Sequence, residues 1–492
     1  MKRWAHLSIP LLVSSLAFAC GGSDGTTDTT SGAGAGGTGG GSSSSGGGMG
    51  GEAAGGMGGT AAGTGGMPET PGYTVTPAVS WHNPSMKASV HFAPLDGVED
   101  HVLAELGQAT TSIRLAFFNI RLPEVRDLLI AKKNAGVTVE VVLDLDVQAL
   151  SFNTMADELT QAGVNVILVD NDSASESTMH NKVAIVDGHL VMTGSANYSY
   201  TALNLSDEDL LTIDDATIAG RYATEIDELI AAGQAPSAPY PGTPAVEAWM
   251  GPEDDLETKA VALLDNAVSS AFLAMFQLNT SPIVDALLAA KQRGVNVIVV
   301  LDEKQATTPG EDADATLAAA GIPVVLALNT GNDVAEMHSK FLVVDHSEVL
   351  MGSANYTNLG VFFNDENMVA LHDAHLAARF EGKLANLLDT YNAPAPSSLG
   401  LTTGMLPVDF SVSNVTLDPG AELVIVSDGG AFAMGEPLTG TSLSASLEAG
   451  SRIDYHYEIR HAGGTLAVES GAHTFTVPYS PGPYAVVDAF QP

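Results

Sequence analysis

The chain has 492 residues, with 58 acidic and 19 basic side chains and a formal net charge of −39. A field of that sign repels polyanions, whereas enzymes that follow a nucleic-acid backbone usually present a basic groove. The composition therefore argues against a non-specific nuclease, although a locally basic pocket would reverse this, and the acidity would also serve solubility in a salty habitat.

Residues 1–20 have the form of a secretory signal peptide. Lys2 and Arg3 supply a positive start, and residues 7–17 form an apolar run that is too short to cross a bilayer comfortably. Residues 17–19, Ala-Phe-Ala, make a cleavage site with small residues at its two ends. The chain is therefore expected to be exported.

A lipid anchor and a flexible tether are expected to follow the signal. The only cysteine, Cys20, stands directly after the cleavage site, and residues 16–20 resemble a bacterial lipobox whose cysteine is acylated. Residues 21–75 are mostly Gly, Ser, Thr and Ala without periodicity, a composition that cannot bury a core. We predict anchoring to a bacterial cell-envelope membrane, with the outer membrane as the destination because Gly21 follows the cysteine; ordinary signal-peptidase cleavage and secretion is the alternative.

Beyond the tether the chain repeats itself, as units of residues 76–240 and 241–397. Apolar strand runs alternate with helical patterns in each unit, and helices are predicted over residues 123–134 and 282–293, each closed by a glycine. Continuous runs of Val, Ile and Leu are typical of strands buried on both faces. This order predicts an α/β fold of two sandwich halves with mixed sheets.

One motif occurs in each unit, at residues 179–197 and 337–355. Each copy reads His-x-Lys, four apolar residues, Asp, six residues, then Gly-Ser-x-Asn, with identical spacing. A coincidence of that length is very improbable. The fixed polar residues are His180, Lys182, Asp187, Ser195 and Asn197 in the first copy, and His338, Lys340, Asp345, Ser353 and Asn355 in the second.

The residue types of the motif suit the binding of an oxyanion. The histidine and lysine stand two apart at the head of a strand and face the same side. Asp187 and the glycine after it predict a tight turn, so the returning strand brings Gly-Ser-x-Asn beside them. A lysine charge, an asparagine amide and a serine hydroxyl would together hold a phosphate. The histidine remains for chemistry, as a nucleophile or a proton carrier.

Two copies predict a symmetric catalytic site. A single His-x-Lys is as readily a solvated strand edge as a catalytic group, but neither copy has lost a residue. One histidine would attack phosphorus to form a phosphohistidine, while the other protonates the leaving oxygen and then activates water. Two lysines and two asparagines would stabilise the charge, so no metal or other cofactor is expected.

These residues resemble the duplicated signature of the phospholipase D superfamily. The resemblance implies phosphodiester hydrolysis or transfer through a phosphohistidine without metal, in two packed halves that share one active site. It further implies that an acidic residue downstream of each hairpin orients the histidine, and Glu208 and Glu366 are at the matching positions. The N-terminal histidine of the family is commonly the nucleophile, so His180 is expected to attack and His338 to serve as acid and base.

Other polar residues near the motifs have weaker claims to function. Asp187 and Asp345 are included among the candidate catalytic residues as fixed motif positions, although a structural role in the turn, or a salt link, suits them better than proton transfer. Asn119 and Gln277, at the ends of equivalent strands, are either pocket groups or ordinary strand-end amides. Four further histidines are interpreted as surface residues: His189, His346, His372 and His375.

Residues 398–492 change character and predict a small β-sandwich. Alternating segments such as residues 422–426, 452–460 and 473–478 are separated by glycine-rich turns. Residues 447–471 resemble starch-binding carbohydrate modules, but Val468 stands where those modules place a sugar-stacking tryptophan. The resemblance therefore implies the fold rather than sugar binding.

The whole chain is therefore expected to be an exported, monomeric phosphodiesterase of the phospholipase D type that acts on phospholipid headgroups. The alternatives are an extracellular endonuclease of the same superfamily and a non-catalytic surface-binding protein. A transferase similar to cardiolipin synthases is disfavoured, because those relatives usually carry membrane-spanning helices and no apolar run after the signal is long enough.

Overall fold

A computed structural model of the chain describes residues 73–75, 81–151, 153–171, 173–174, 176–231, 245–427, 429–461 and 464–492. The expected signal peptide, Cys20 and nearly all of the expected tether lie outside these residues. No helix within the described ranges is long and apolar enough to cross a membrane.

The first described strand, β1 (Tyr73–Val75), belongs structurally to the end of the chain. It pairs antiparallel with Val415–Leu417, and Tyr73 lies opposite Leu417. The expected tether, residues 21–75, ends with these three residues, and their backbone groups pair with a strand of the C-terminal module.

The first half is built on a seven-stranded mixed sheet in the order β2-β8-β7-β6-β3-β4-β5. The three strands at one end are parallel and the others antiparallel. The elements of this half are β2 (Ala88–Ala93), α1 (Val98–Gly107), β3 (Ser112–Phe117), α2 (Pro123–Asn134), β4 (Thr138–Asp144), α3 (Leu145–Gln148), α4 (Met155–Gln161), β5 (Asn165–Val169), β6 (Lys182–Val186), β7 (Leu190–Gly194), α5 (Tyr200–Asn204), β8 (Glu208–Asp214) and α6 (Ala216–Ile230).

The second half repeats this sheet in the same order, β9-β15-β14-β13-β10-β11-β12. The α/β fold with mixed sheets is thus confirmed, as is the helix predicted at residues 282–293, which ends at Gly294 in a left-handed conformation. The elements are β9 (Val246–Gly251), α7 (Leu256–Asn266), β10 (Ser270–Met275), α8 (Ser281–Arg293), β11 (Asn296–Asp302), α9 (Glu303–Ala306), α10 (Ala313–Ala319), β12 (Val324–Ala327), β13 (Lys340–Val344), β14 (Glu348–Gly352), α11 (Asn358–Phe362), β15 (Glu366–His372) and α12 (Ala374–Thr390).

A single core joins the two halves. The inner faces of both sheets contribute to it, together with α6 and α12, whose Tyr222 and Phe380 are fully buried. Each sheet has a second core on its outer face, under α1 and α2 in the first half and under α7 and α8 in the second. The halves therefore share buried apolar surface and are not separate domains on a linker.

Both motifs form the predicted β-hairpins, β6–β7 and β13–β14. The position before the motif serine requires glycine for a steric reason. A Cβ atom on Gly194 would lie 2.1 Å from the carbonyl oxygen of Asp209, and one on Gly352 would lie 2.3 Å from that of Asn367. Only glycine lets the end of each hairpin approach the neighbouring strand so closely.

The C-terminal module is a β-sandwich with its own core, in which Phe410, Tyr455 and Tyr457 are buried. Two sheets, β20-β16-β24 and β19-β18-β21-β22 with β23 beside β21, form its layers. The position without tryptophan, Val468, is about half exposed. The strands are β16 (Met405–Val412), β17 (Val415–Leu417), β18 (Ala421–Ser427), β19 (Glu436–Pro437), β20 (Ser442–Glu448), β21 (Arg452–His461), β22 (Gly464–Val468), β23 (His473–Thr476) and β24 (Tyr484–Asp488).

Candidate active site

The two motif histidines are held at the seam between the halves. The N–H of His180 donates to the carbonyl oxygen of Asp365 at 2.9 Å, and the N–H of His338 donates to that of Asp207 at 2.9 Å. Each histidine thus adjoins the segment that leads into the last strand of the other half. The symmetry of the duplication brings both motifs to one place.

Each imidazole is oriented by a glutamate of the opposite half. Nδ1 of His180 lies 2.7 Å from Oε1 of Glu366, and Nδ1 of His338 lies 2.9 Å from both carboxyl oxygens of Glu208. Asn364 donates to the same oxygen of Glu366 that faces His180; if this oxygen accepts from both, the imidazole proton is assigned to Nδ1 and the proton of a neutral Glu366 to its other oxygen. Nε2 of His180 therefore carries the lone pair. The sequence did not indicate that the glutamates would exchange partners.

The motif lysines are fully buried beside the histidines. Lys182 Nζ donates to the carbonyl oxygen of His180 at 2.6 Å, and Lys340 Nζ donates to that of His338 at 2.7 Å. Each ammonium also lies over a phenylalanine ring, Lys182 at 5.4 Å from Phe118 and Lys340 at 5.2 Å from Phe276. The same two rings pack edge-on against the two imidazoles, so aromatic walls fix both members of each pair.

The motif serines support the glutamates. The Ser195 hydroxyl donates to Glu208 and accepts from the N–H of Asp209 at 2.9 Å. Ser353 accepts from the N–H of Asn367 at 2.9 Å, and its hydroxyl lowers the pKa of Glu366 against the effect of burial. Of the two roles considered for them, phosphate binding and support, the described contacts are those of support.

The motif asparagines are buried at the same end of each hairpin. Asn197 and Asn355 follow the strand ends that face Lys182 and Lys340, since Val183 pairs with Thr193 and Phe341 with Met351. Among the described residues neither side-chain oxygen has a hydrogen-bond partner. Because the two ends of an amide are assigned by their surroundings, a bound group would decide which end of each asparagine faces it.

Electrostatics distinguish the two halves of the site. Burial lowers the pKa of His180, and the charges of Lys182 and Lys340 lower it further. Burial also lowers the pKa of His338, but the Glu208 carboxylate opposes the shift. Both lysines act on both histidines, so the four groups form one site.

The two glutamates that face these histidines also differ in pKa. Burial raises the pKa of Glu366 to about 8, against the opposing charge of Lys182. Burial alone would raise the pKa of Glu208 as well, but His338, Lys340 and the Ser195 hydroxyl together lower it. Near neutral pH the first histidine therefore faces a largely neutral carboxyl group and the second faces a carboxylate.

Asp187 and Asp345, included among the candidate catalytic residues, are placed away from the motif histidines and lysines. Both lie in the hairpin turns with positive φ, at the far end of five-residue strands and hence about 16 Å from the motif lysines. Asp187 accepts from the backbone N–H groups of Thr110, Thr111 and Ser112, and Asp345 accepts from the equivalent residues 268–270. They fix the turn to the start of the neighbouring strand.

The remaining histidines near the motifs take no part in the site. His189, about half exposed, pairs with Asp214, and His346 pairs with the buried Glu381 at 2.7 Å, which raises its pKa. His372 pairs with Glu247 and Glu348, while His375 is exposed. Within the described ranges no three side chains of His, Cys, Asp or Glu are placed to hold a metal ion.

Sequence reasoning missed several residues that build the seam. Asn367 donates to Asn181 at 3.0 Å and accepts from Thr193 and Tyr222, which ties β15 of the second half to the motif and to α6 of the first half. Asp144 and Asp302 each accept from the backbone N–H of the methionine before a motif histidine. The only signal for the last pair is that both copies of the repeat contain them.

Comparison with known proteins identifies the family of the duplicated unit. The family model described as cardiolipin synthase, PLD-like domain, matches residues 102–230 and again residues 260–388, one match in each half. Together the two matches cover just over half of the chain.

Individual relatives cover smaller parts. Over 124 residues the chain is 33% identical to the mitochondrial cardiolipin hydrolase of Chlamydomonas reinhardtii, covering 25% of this chain and 53% of that protein. Over 154 residues it is 27% identical to a phospholipase D of Rickettsia bellii, covering 30% of this chain and 74% of that protein. The chain thus spans about half of the first relative and about three quarters of the second.

A solved structure extends the likeness to both halves. The phosphatidylserine synthase of Haemophilus influenzae superposes with a TM-score of 0.51, covering 65% of this chain and 88% of that one, at 12% sequence identity. Identity that low shows a shared fold and nothing about substrate.

Proposed function

The chain belongs to the phospholipase D superfamily, and we propose that it is a phosphodiesterase that hydrolyses phospholipid headgroups through a phosphohistidine. One observation carries the proposal. Two buried histidines stand at one seam, and each has its Nδ1 engaged by a glutamate of the opposite half, so that Nε2 is left for chemistry. A structural histidine pair would not need that reciprocal arrangement.

The first step would be attack on phosphorus by His180. Its neutral Nε2 forms a bond to phosphorus as the bond to the headgroup oxygen breaks, and Nε2–H of His338 gives its proton to that oxygen. The products are the headgroup alcohol and a phosphatidyl group on His180. Lys182 and Lys340 would stabilise the charge on the two non-bridging oxygens.

The second step would reverse the proton transfer. Nε2 of His338 takes a proton from water as the water oxygen attacks phosphorus, and the bond from phosphorus to His180 breaks. Phosphatidic acid leaves and both imidazoles return to their initial states. An alcohol in place of water would give transphosphatidylation by the same route.

The assignment of roles is supported by the charges around the two imidazoles. A nucleophile must be neutral, and His180 faces a glutamate whose pKa is raised to about 8 and is therefore largely protonated near pH 7. A general acid must hold a proton, and the ionised Glu208 favours protonation of His338 relative to His180.

Phospholipid is favoured over nucleic acid on two grounds. The two relatives described above are named for hydrolysis of cardiolipin or phospholipid. A formal charge of −39 also opposes the approach of a long polyanion.

We also propose export and anchoring through an acylated Cys20. The proposal rests on the sequence at residues 16–20 alone. Growth with an alkyne-labelled fatty acid should label the full chain, and a Cys20→Ala variant should lose the label and leave the membrane fraction. Labelling that persists in Cys20→Ala would overturn the anchor.

The function is tested by turnover with the purified full chain. Phosphatidylcholine vesicles, plasmid DNA and bis(p-nitrophenyl) phosphate are compared for the wild type, His180→Ala and His338→Ala. We expect headgroup release from the lipid and loss of roughly 10²–10⁴-fold in each variant. Cleavage of DNA that is lost in both histidine variants would favour an endonuclease over a phospholipase. Turnover of no substrate would leave a surface-binding protein.

A further inference from the structure

The backbone of each motif histidine is bound to an aspartate of the opposite half, and the aspartate behind His338 is held by a cation. This aspartate is Asp207, whose carbonyl oxygen accepts the N–H of His338. Lys383 Nζ donates to Oδ1 of Asp207 at 2.6 Å, and the Tyr391 hydroxyl donates to Oδ2 at 2.5 Å. Lys383 lies on α12 and is almost fully buried, so an internal ion pair fixes the segment that binds His338.

Behind His180 a glutamate stands at the position of that lysine. Helices α6 and α12 are equivalent in the duplication, and Glu225 of α6 corresponds to Lys383 at the same offset that relates the two motif histidines. The aspartate on this side is Asp365, whose carbonyl oxygen accepts the N–H of His180. Its carboxyl group accepts from the amide of Asn171 at 3.0 Å. A carboxyl group in one half therefore replaces the cation of the other.

Glu225 and Asp365 are both buried among further carboxyl groups. Their exposed fractions are 2% and 6%. Burial raises the pKa of Asp365 to about 7, and burial raises the pKa of Glu225 well above its usual value, where the charge of Asp365 raises it further. Near neutral pH Glu225 therefore carries a proton. The other charged groups that act on this pair are Glu253, Glu228, Glu366, Asp144 and Arg221, of which Arg221 pairs with Asp254 at 2.9 Å.

The contacts of Glu225 indicate where that proton lies. Oε1 of Glu225 accepts from Nδ2 of Asn181 at 3.2 Å, and Oδ1 of Asn181 accepts from Nδ2 of Asn367 at 3.0 Å. An accepting Oε1 assigns the proton of a neutral Glu225 to Oε2. Glu225 thus contacts the residue that follows His180 in the motif and retains one donor.

We propose that Glu225 is a positioning residue for the reaction: as a neutral acid it donates a hydrogen bond to Asp365, as the ammonium of Lys383 does to Asp207, and so holds the segment that binds the backbone of His180. Glu225 acts through Asp365 and does not touch the substrate. The inference rests on the proposed function, because it concerns the histidine that is taken as the nucleophile.

Three substitutions of Glu225 separate a hydrogen-bond donor from a group that only fills space. Glu225→Gln keeps an acceptor for Asn181 and a donor for Asp365 at every pH, and Glu225→Lys installs the residue of the second half. Glu225→Met occupies similar space without a donor. Asp227→Asn is the matched control, because Asp227 is an exposed carboxylate of the same helix that pairs with Arg114 at the surface.

The first measurement is the pH profile of turnover of bis(p-nitrophenyl) phosphate by the full chain. Below about pH 7 Asp365 holds its own proton and needs no donor, so Glu225→Met should lose little. At pH 8 the same variant leaves a buried carboxylate without its donor, and kcat should fall about tenfold with KM unchanged. Glu225→Gln and Glu225→Lys should rescue most of that loss, and Asp227→Asn should follow the wild type.

Hydrogen exchange provides a readout that does not require turnover. The amide of His180 is bound to the carbonyl oxygen of Asp365, so the peptide spanning residues 178–183 reports on this attachment. At pH 8 it should exchange faster in Glu225→Met than in the wild type. Glu225→Gln and Asp227→Asn should exchange at the wild-type rate.

The outcomes separate this inference from the proposed reaction. The expected exchange pattern without turnover of any diester would keep Glu225 as a positioning residue and overturn the phosphodiesterase. A loss of kcat in Glu225→Met that is equal at pH 5.5 and pH 8, or an equal loss in Glu225→Gln, would show a merely structural role and overturn the inference alone. Unchanged exchange of residues 178–183 in Glu225→Met would also overturn it, as would an equal effect of Asp227→Asn, which would assign the change to overall charge.

Discussion

His180 holds its Nδ1 2.7 Å from Glu366, a residue 186 positions further along the chain and in the other half of the duplication. Glu208 has the reciprocal relation to His338, 130 positions away. Neither half contains both the histidine and the glutamate that orients it. In the proposed reaction, each histidine would therefore depend on the seam between the halves as well as on its own motif.

Glutamine at the two glutamate positions should have unequal effects. Because burial raises the pKa of Glu366 to about 8, its carboxyl group is largely protonated at pH 7, so Glu366→Gln changes little charge and should cost less than about tenfold in kcat. Glu208→Gln removes an ionised partner of the general acid and should cost roughly 10²–10⁴-fold. Steady-state rates at pH 7 check this, and equal losses would contradict the assignment of roles.

The pH profile of Glu366→Gln provides a second check. Above about pH 8 the wild-type carboxyl ionises and the glutamine cannot, so the two profiles should diverge only on the alkaline side. A divergence below pH 7 would mean that Glu366 is already a carboxylate there. The profile of Glu208→Gln should differ from the wild type across the neutral range.

Asp187→Ala and Asp345→Ala should lower stability and leave turnover intact. Each loses several hydrogen bonds from backbone N–H groups, which should cost about 1–3 kcal/mol. Burial opposes ionisation, but those donors hold the pKa of Asp187 below its usual value, so its contribution is present above about pH 4 and is lost as the pH falls. Chemical denaturation and lipid turnover measure both effects. A large loss of kcat in folded Asp187→Ala would restore a catalytic role.

Asp209→Asn should stabilise the protein above about pH 6. Asp209 is buried, its Oδ2 has no hydrogen-bond partner among the described residues, and burial raises its pKa to about 6. Between its unfolded pKa and 6 the folded state binds the extra proton, so wild-type stability falls as the pH rises through that window. The gain should reach up to about 2 kcal/mol above it and vanish near pH 4.

The second half already has an asparagine, Asn367, at the equivalent place, so the reverse change Asn367→Asp is the matched control. It should destabilise the protein above pH 6. Urea unfolding at pH 7.5 and pH 4.5 measures whether each variant raises or lowers the free energy of unfolding. No gain for Asp209→Asn at pH 7.5 would mean that Lys340 and Lys383 already compensate the buried charge.

His91 should make the protein sensitive to acid. Its ring stacks on His101 at 3.8 Å and lies 5.3 Å from His82, and burial, with the charge of Arg379, lowers its pKa to about 4. The unfolded state binds this proton first, so stability should fall as the pH drops from about 6.5 toward 4. His91→Phe should flatten that decline by about 2–3 kcal/mol, and His375→Phe, at an exposed site, should not.

Much of the fold could be predicted from the sequence because the same pattern of strands and helices occurs in both repeats. Hairpins, helix ends such as Gly294 and the buried strands of both halves all follow from local patterns that recur at constant offset. By contrast, β1 was missed because Tyr73–Val75 is short, follows a low-complexity stretch and pairs with a strand more than 300 residues away. Local composition contains no information about such a partner.

The site was less completely predictable for a similar reason. Glu208 and Glu366 stand at the same distance from their own motifs, so the spacing is identical whether each serves its own histidine or the other. Only the packing of the halves decides between these arrangements. Likewise, a fixed aspartate in a motif does not reveal whether it meets substrate, and Asp187 proved to tie a turn to a strand.

The exchange of glutamates between the halves bears on which parts of the two copies can differ in sequence. A dimer of two identical copies could form both histidine–glutamate contacts across the same seam. These contacts alone therefore do not require the two halves to differ. Identical copies would, however, have the same residues on both flanks of the site, meaning the positions beside each motif histidine. Joining the halves in one polypeptide allows the flanks to differ while the paired motifs stay alike, and they do differ: Arg121 and Asn153 of the first half stand where the second half has Asn279 and Glu311.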